Sequence, residues 1–173
     1  MLTNLNPLAV ASHFILSIIL IAAAHSLVVR SYATRISAPV RSKYLSAHTA
    51  LTFLVIVAGT LVTGAGPHAG DSETPRLDIA VSLVAAIHGY LVVALILLTI
   101  FGIYKKVANF ASDTQRYLSI FLAITLIQGV IGYAQYLLGV PEVLVILHLL
   151  GSALLWIAAW RVRLTQFYTV GNK

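Results

Sequence analysis

Long apolar runs separated by short polar gaps set the pattern of this chain: roughly Leu8 to Val29, Tyr44 to Ala65, Ile79 to Tyr104, Tyr117 to Leu138 and Pro141 to Trp160. Each is close to the about 20 residues that an α-helix needs to cross the hydrocarbon core of a bilayer. The pattern therefore predicts an all-α, polytopic membrane protein with five transmembrane helices. Because the gaps are short, neighbouring helices are predicted to lie antiparallel and side by side.

Composition strengthens this reading. Hydrophobic residues make up 60% of the chain and charged residues only 9%, with a mean hydropathy of +0.95, more apolar side chain than a soluble core of 173 residues could hide. The chain has no cysteine, which excludes disulfides, thiolate metal sites and thiol catalysis. Metal or redox chemistry would have to rest on His, Tyr, carboxylates or a bound cofactor. The net charge of +6 would suggest nucleic acid in a soluble protein, but here the basic residues sit in loops between spans and report topology instead.

Arg30, Arg35, Arg41 and Lys43 share the first loop, Lys105, Lys106 and Arg116 the third, and Arg161, Arg163 and Lys173 the tail. Of the eleven basic residues only Arg76 falls on the opposite face. Basic residues near span ends stay inside, so the amino end and the loops PHAGDSETPRLD and GVPEV are predicted outside and the carboxyl end inside. The first run is too long for a cleavable signal and is followed by Arg30, as in a retained anchor helix.

Histidines placed by depth carry the candidate chemistry. His88 lies about nine residues, and His148 about seven, from the outer ends of the third and fifth spans, so both sit about 10 to 14 Å below the outer surface. These two helices run the same way, and their imidazoles can converge on one plane. Two neutral ring nitrogens facing across a bundle interior are what a six-coordinate haem iron takes as axial ligands. Gly89 and Gly151, each close to one of these histidines, would reduce bulk for a flat macrocycle. The bland alternative is a pair of histidines bonded to neighbouring helices. His13, in the first span, belongs to a partial repeat: PLAVASHFILSIIL from Pro7 parallels PEVLVILHLLGSALL from Pro141, with Ser17 and Ser152 each four residues past a histidine. His25 and His48 lie near cytoplasmic helix ends, where snorkelling or a local hydrogen bond suffices. Gln128, Gly132 and Gln135 in the fourth span follow helical spacing that could hold a buried polar ligand edge, though close packing is the readier explanation, as it is for Gly59 and Thr63 in the second.

The segment TGAGPHAGD is a turn-rich helix exit that puts His68 over the outer mouth. Arg76 there is a candidate partner for anionic haem propionates, with pairing to Asp71, Glu73 or Asp78 the equal alternative.

Taken together, GTLVTGAGPHAGDSETPRLD, AAIHGY and IQGVIGYAQYLLGVPEVLVILHLLGSAL resemble the haem A synthase family of cytochrome oxidase assembly factors in its actinobacterial form. The opening LTNLNPLAVASHFILS is similar to the start of that family's fourth helix, so the resemblance spans essentially the whole chain. It implies a bacterial plasma-membrane oxidoreductase fold of eight helices in two similar halves. The carboxyl-terminal half would hold a redox haem b on residues matching His88 and His148. The amino-terminal half would bind the substrate haem O and oxidise its C8 methyl to the formyl of haem A, with oxygen from water; His13 matches the second histidine of that catalytic pair.

On this resemblance residues 1–30 correspond to an orphan helix from the first half, 31–43 to a basic loop, 44–163 to a complete four-helix haem b bundle and 164–173 to a tail. The family's first three helices, with their histidine and outer-loop carboxylate, have no counterpart in the sequence, so a truncated or split gene is among the expectations. Partners implied are the bilayer, a separate amino-terminal half, further copies of the chain, haem O synthase and other oxidase assembly factors, with no role for nucleic acid. The alternative is a haem-binding electron-transfer or assembly protein that does not oxidise haem O. The bland reading is a five-helix protein whose histidines only pack.

Overall fold

The computed structural model describes residues 6–37, 39, 41–67, 75–105 and 112–170. His68, Asp71, Glu73, Lys106 and Lys173 lie outside the described residues. Within them the chain forms α1 (Pro7–Tyr32), β1 (Thr34–Arg35), α2 (Lys43–Ala65), α3 (Val81–Lys105), α4 (Ser112–Leu137), α5 (Glu142–Leu164) and β2 (Tyr168–Thr169). The five helices have 23 to 26 residues, and all are long and apolar enough to cross a membrane. The protein is all-α and multi-pass, as the apolar runs predict, apart from one two-residue strand pair.

These segments are helical because hydrocarbon offers no partner to a backbone N–H or C=O, and a helix satisfies both internally. The ends are set by local chemistry. Asn6 Oδ1 accepts from the Leu8 N–H at 2.9 Å with Pro7 opening α1, and Ser42 Oγ accepts from the Leu45 N–H at 3.3 Å to open α2. The α2 helix stops before Gly66 and Pro67. Between α4 and α5, Gly139 and Val140 both take positive φ, 71° and 62°, ahead of Pro141. A β-branched residue in that region is strained, and a very tight turn is the result. The α5 helix runs on past Trp160 to Leu164, which places Arg161 and Arg163 within it rather than in the tail.

Packing is most extensive between α2 and α3 and between α4 and α5; contacts of α3 with α4 and of α2 with α5 close these pairs into a ring. The α1 helix packs on α5 and α2. Two tryptophans of α5 fasten it: Trp156 Nε1 donates to the Ile18 carbonyl and Trp160 Nε1 to Ser26 Oγ, both at 2.7 Å. The core is formed by Ile18, Leu45, Val55, Leu95, Phe121 and Trp156 with their neighbours, while leucines such as Leu16, Leu97 and Leu150 stay exposed along the helices. In water such exposure would be untenable, but it is what a lipid-facing surface requires.

At the basic end, β1 pairs antiparallel with β2, Thr34 opposite Thr169 and Arg35 opposite Tyr168. This ties the α1–α2 connection to the segment that follows α5.

Candidate site between His88 and His148

The ring order puts α3 and α5 on opposite corners, so a side chain from each can meet across the interior. His88 and His148 do so: their ring centroids are 6.5 Å apart and their planes cross at 73°. Two imidazoles joined directly by an N–H···N bond would have centroids about 5 Å apart, from a donor–acceptor distance of about 3 Å plus the two ring radii. No such bond joins them among the described residues. Two imidazoles on opposite sides of one metal atom, with metal–nitrogen bonds of about 2 Å, would have centroids about 6 Å apart. The observed separation matches the second arrangement.

A hydrogen bond fixes one of the two rings. His88 Nδ1 lies 3.0 Å from the Val55 carbonyl, an acceptor only, so this nitrogen carries the proton and Nε2 keeps its lone pair. Fixing the tautomer through the far nitrogen in this way is how metal-ligating histidines are oriented. His148 Nδ1 is buried with no partner among the described residues, and such an orphaned polar atom carries a desolvation penalty.

A glycine of the preceding helix backs each ring. A Cβ at Gly59 of α2 would stand 3.3 Å from His88 Cε1, and a Cβ at Gly132 of α4 would stand 3.2 Å from His148 Cε1. The two halves of the ring thus repeat one device: a histidine on the second helix of each pair seats its imidazole against a glycine on the first. Gly89 and Gly151 do not play the part the sequence suggests for them. A Cβ at Gly89 would meet nothing within 4 Å, and Gly151 is filled by the Gln128 amide.

The other candidates lie elsewhere. His13 is on an exposed face of α1; its carbonyl accepts from Ser17 Oγ at 2.8 Å, and no described histidine pairs with its ring. Ser152 likewise turns back onto its own helix, donating to the Leu149 carbonyl at 2.6 Å. Arg76 Nη2 donates to the Pro67 carbonyl at 2.6 Å, holding the chain after α2 against the approach to α3. His48 is fully buried rather than snorkelling: its Nε2 is 3.1 Å from Thr99 Oγ1, and Phe121 meets its ring edge-on at 4.5 Å. His25 is half-buried on α1.

Among the described residues no group of three or more His, Cys, Asp or Glu side chains gathers as a metal-ion cluster, whereas an axial haem site needs only two nitrogens. The chain matches no known family model, no curated protein and no solved structure.

Proposed function

We propose that this protein binds a b-type haem between His88 and His148 and that the haem serves as a redox cofactor. The observation that carries the proposal is the 6.5 Å separation of the two imidazoles, too long for a hydrogen bond and suited to one intervening metal atom. The bound haem would supply one-electron chemistry. His88 would hold the haem iron through Nε2 while its Nδ1–H stays donated to the Val55 carbonyl, and His148 would be the second residue to hold it. Held by two protein residues, the group would suit electron transfer better than oxygen binding. Gly59 and Gly132 leave these two rings the room that a Cβ would crowd. Arg76, on the outer side by the sequence reading, is the candidate partner for a propionate.

On the sequence resemblance we extend this to a haem A synthase-like oxidoreductase of the bacterial plasma membrane, acting in cytochrome c oxidase assembly. In this reading α2–α5 form the haem b half and α1 belongs to the half that binds haem O. The exposure of His13 on α1 favours a site completed from outside this chain: a second histidine for haem O would come from another polypeptide or another copy. The same exposure also suits the alternative, a haem-binding electron-transfer or assembly protein without haem O oxidation.

Co-expression with a source of haem O, followed by pigment extraction from the purified protein, separates the two. Haem b accompanied by haem A supports the synthase reading. Haem b alone, both for the chain by itself and with a co-expressed polypeptide supplying the first three helices of the family, rejects it in favour of electron transfer. Absence of any haem rejects both.

A further inference from the structure

At the basic end of the molecule, the start of α2 and the end of α5 enclose a cavity of about 270 Å³ lined by Arg41, Ser46, Arg163, Gln166 and Phe167. Its frame is built. Gln166 is 8% exposed; its Oε1 accepts from the Ser42 N–H at 3.0 Å and its Nε2 donates to the Arg163 carbonyl at 3.0 Å. The Ile36 N–H donates to the Phe167 carbonyl at 2.9 Å, and the β1–β2 pair extends the same tie. Two segments far apart in sequence are therefore locked together around the cavity.

The charge there is one-sided. Arg41 is exposed and Arg163 half-buried beside the Trp160 ring, 5.6 Å from guanidinium carbon to ring centroid. No described carboxylate pairs with either guanidinium. Among the described residues the only acid at this end is Asp113, and its Oδ2 already accepts from Thr169 Oγ1 at 3.3 Å and the Val170 N–H at 3.0 Å. The first turn of α2 adds the positive end of a helix dipole, and Ser46 adds a hydroxyl. Two guanidinium forks with a hydroxyl on a polar cavity are the donor set for a tetrahedral oxyanion. At the end of a membrane-spanning bundle, basic cavities of this kind suit anionic headgroups.

We propose that this cavity binds a phosphate group, held by Arg41 and Arg163, and that the phosphate belongs either to an anionic phospholipid headgroup or to a free phosphate ester. The proposal is independent of the haem reading.

The test uses the full chain in vesicles of phosphatidylcholine containing a minor fraction of phosphatidylglycerol, with the lipid retained per protein measured by native mass spectrometry. Binding of inorganic phosphate is followed separately by phosphorus NMR line broadening. Selective retention of phosphatidylglycerol that millimolar phosphate does not displace identifies a lipid headgroup; phosphate binding that displaces it identifies a free phosphate ester. In either case Arg41→Gln and Arg163→Gln each weaken binding about fivefold, and Arg30→Gln, an exposed charge at the same end, leaves it within about twofold. Ser46→Glu, an exposed position where a carboxylate does not disturb folding, abolishes binding by placing negative charge in the cavity. Unchanged binding in both glutamine variants and in Ser46→Glu overturns the proposal. So does an Arg30→Gln loss as large as that of Arg163→Gln, which would mean diffuse charge attraction with no site.

Discussion

Substituting Gly132 with alanine separates the haem account from ordinary helix packing. The added Cβ would stand 3.2 Å from His148 Cε1, 3.7 Å from Nδ1 and 3.9 Å from Nε2, so the imidazole must retreat by a few tenths of an ångström. Metal–ligand distances tolerate about ±0.2 Å, so a displacement of that size would weaken the hold of His148 on the proposed haem. Perturbing the support of a metal ligand typically lowers affinity about 10- to 100-fold, and the lower end applies because the ring can tilt. The same substitution favours the helix itself, since alanine is better than glycine in a helix interior by about 0.8–1 kcal/mol. Gly132→Ala is therefore predicted to lower haem affinity about tenfold while thermal stability of the haem-free protein stays level or rises. Haem titration followed by absorbance, beside thermal unfolding of the apoprotein, reads both quantities. Gly59→Ala should behave the same way through the 3.3 Å contact with His88, and Gly89→Ala, with open space around it, should do nothing. If Gly132→Ala and Gly59→Ala bound haem like the wild type, or if Gly89→Ala weakened it equally, the seating of the two rings would not govern the site.

Further outcomes follow from other contacts. His48→Ala should leave haem binding intact but lower the unfolding temperature, because it empties a buried position and removes the bond between the imidazole and Thr99 Oγ1, a loss of about 2 kcal/mol or more; loss of haem in this variant would reassign the ligands. Trp156→Phe removes the bond to the Ile18 carbonyl and should loosen α1 by about 0.6–1.7 kcal/mol, seen as faster proteolysis of the α1–α2 connection with the haem spectrum unchanged. Arg161 is 4% exposed, has no hydrogen bond among the described residues, and lies over the Tyr117 ring at 4.1 Å. Tyr117→Ala should therefore destabilise the protein by about 2 kcal/mol, whereas Arg161→Met should be neutral or stabilising, since replacing an unpaired buried charge by an apolar side chain of similar size removes a desolvation penalty. Unfolding in detergent orders the two variants.

The membrane helices were legible because the bilayer imposes one rule on every span, and a run of apolar residues is its direct record. Matched depth of His88 and His148 was legible too, since rise per residue converts position into height. What depth cannot give is which neighbour a ring touches. Gly89 follows His88 in the chain, but successive helical residues point about 100° apart, so it could not share the face that carries the imidazole. The glycines that do, Gly59 and Gly132, sit on other helices, and their spacing pointed mainly to close packing. His48 near a helix end suggested snorkelling or a local hydrogen bond; it makes a hydrogen bond, but to Thr99 of α3, and Phe121 of α4 helps to bury it. The β1–β2 pairing and the cavity it frames depend on two connections that meet only after the helices have packed.

The most direct test of the central claim is the reduced-minus-oxidised absorbance spectrum of the purified protein, recorded for the wild type and for His88→Ala and His148→Ala. A low-spin b-type spectrum in the wild type, lost or converted to a five-coordinate form in each variant, is the predicted result. A wild-type protein that takes up no haem, or variants whose low-spin spectra are unchanged, would contradict it.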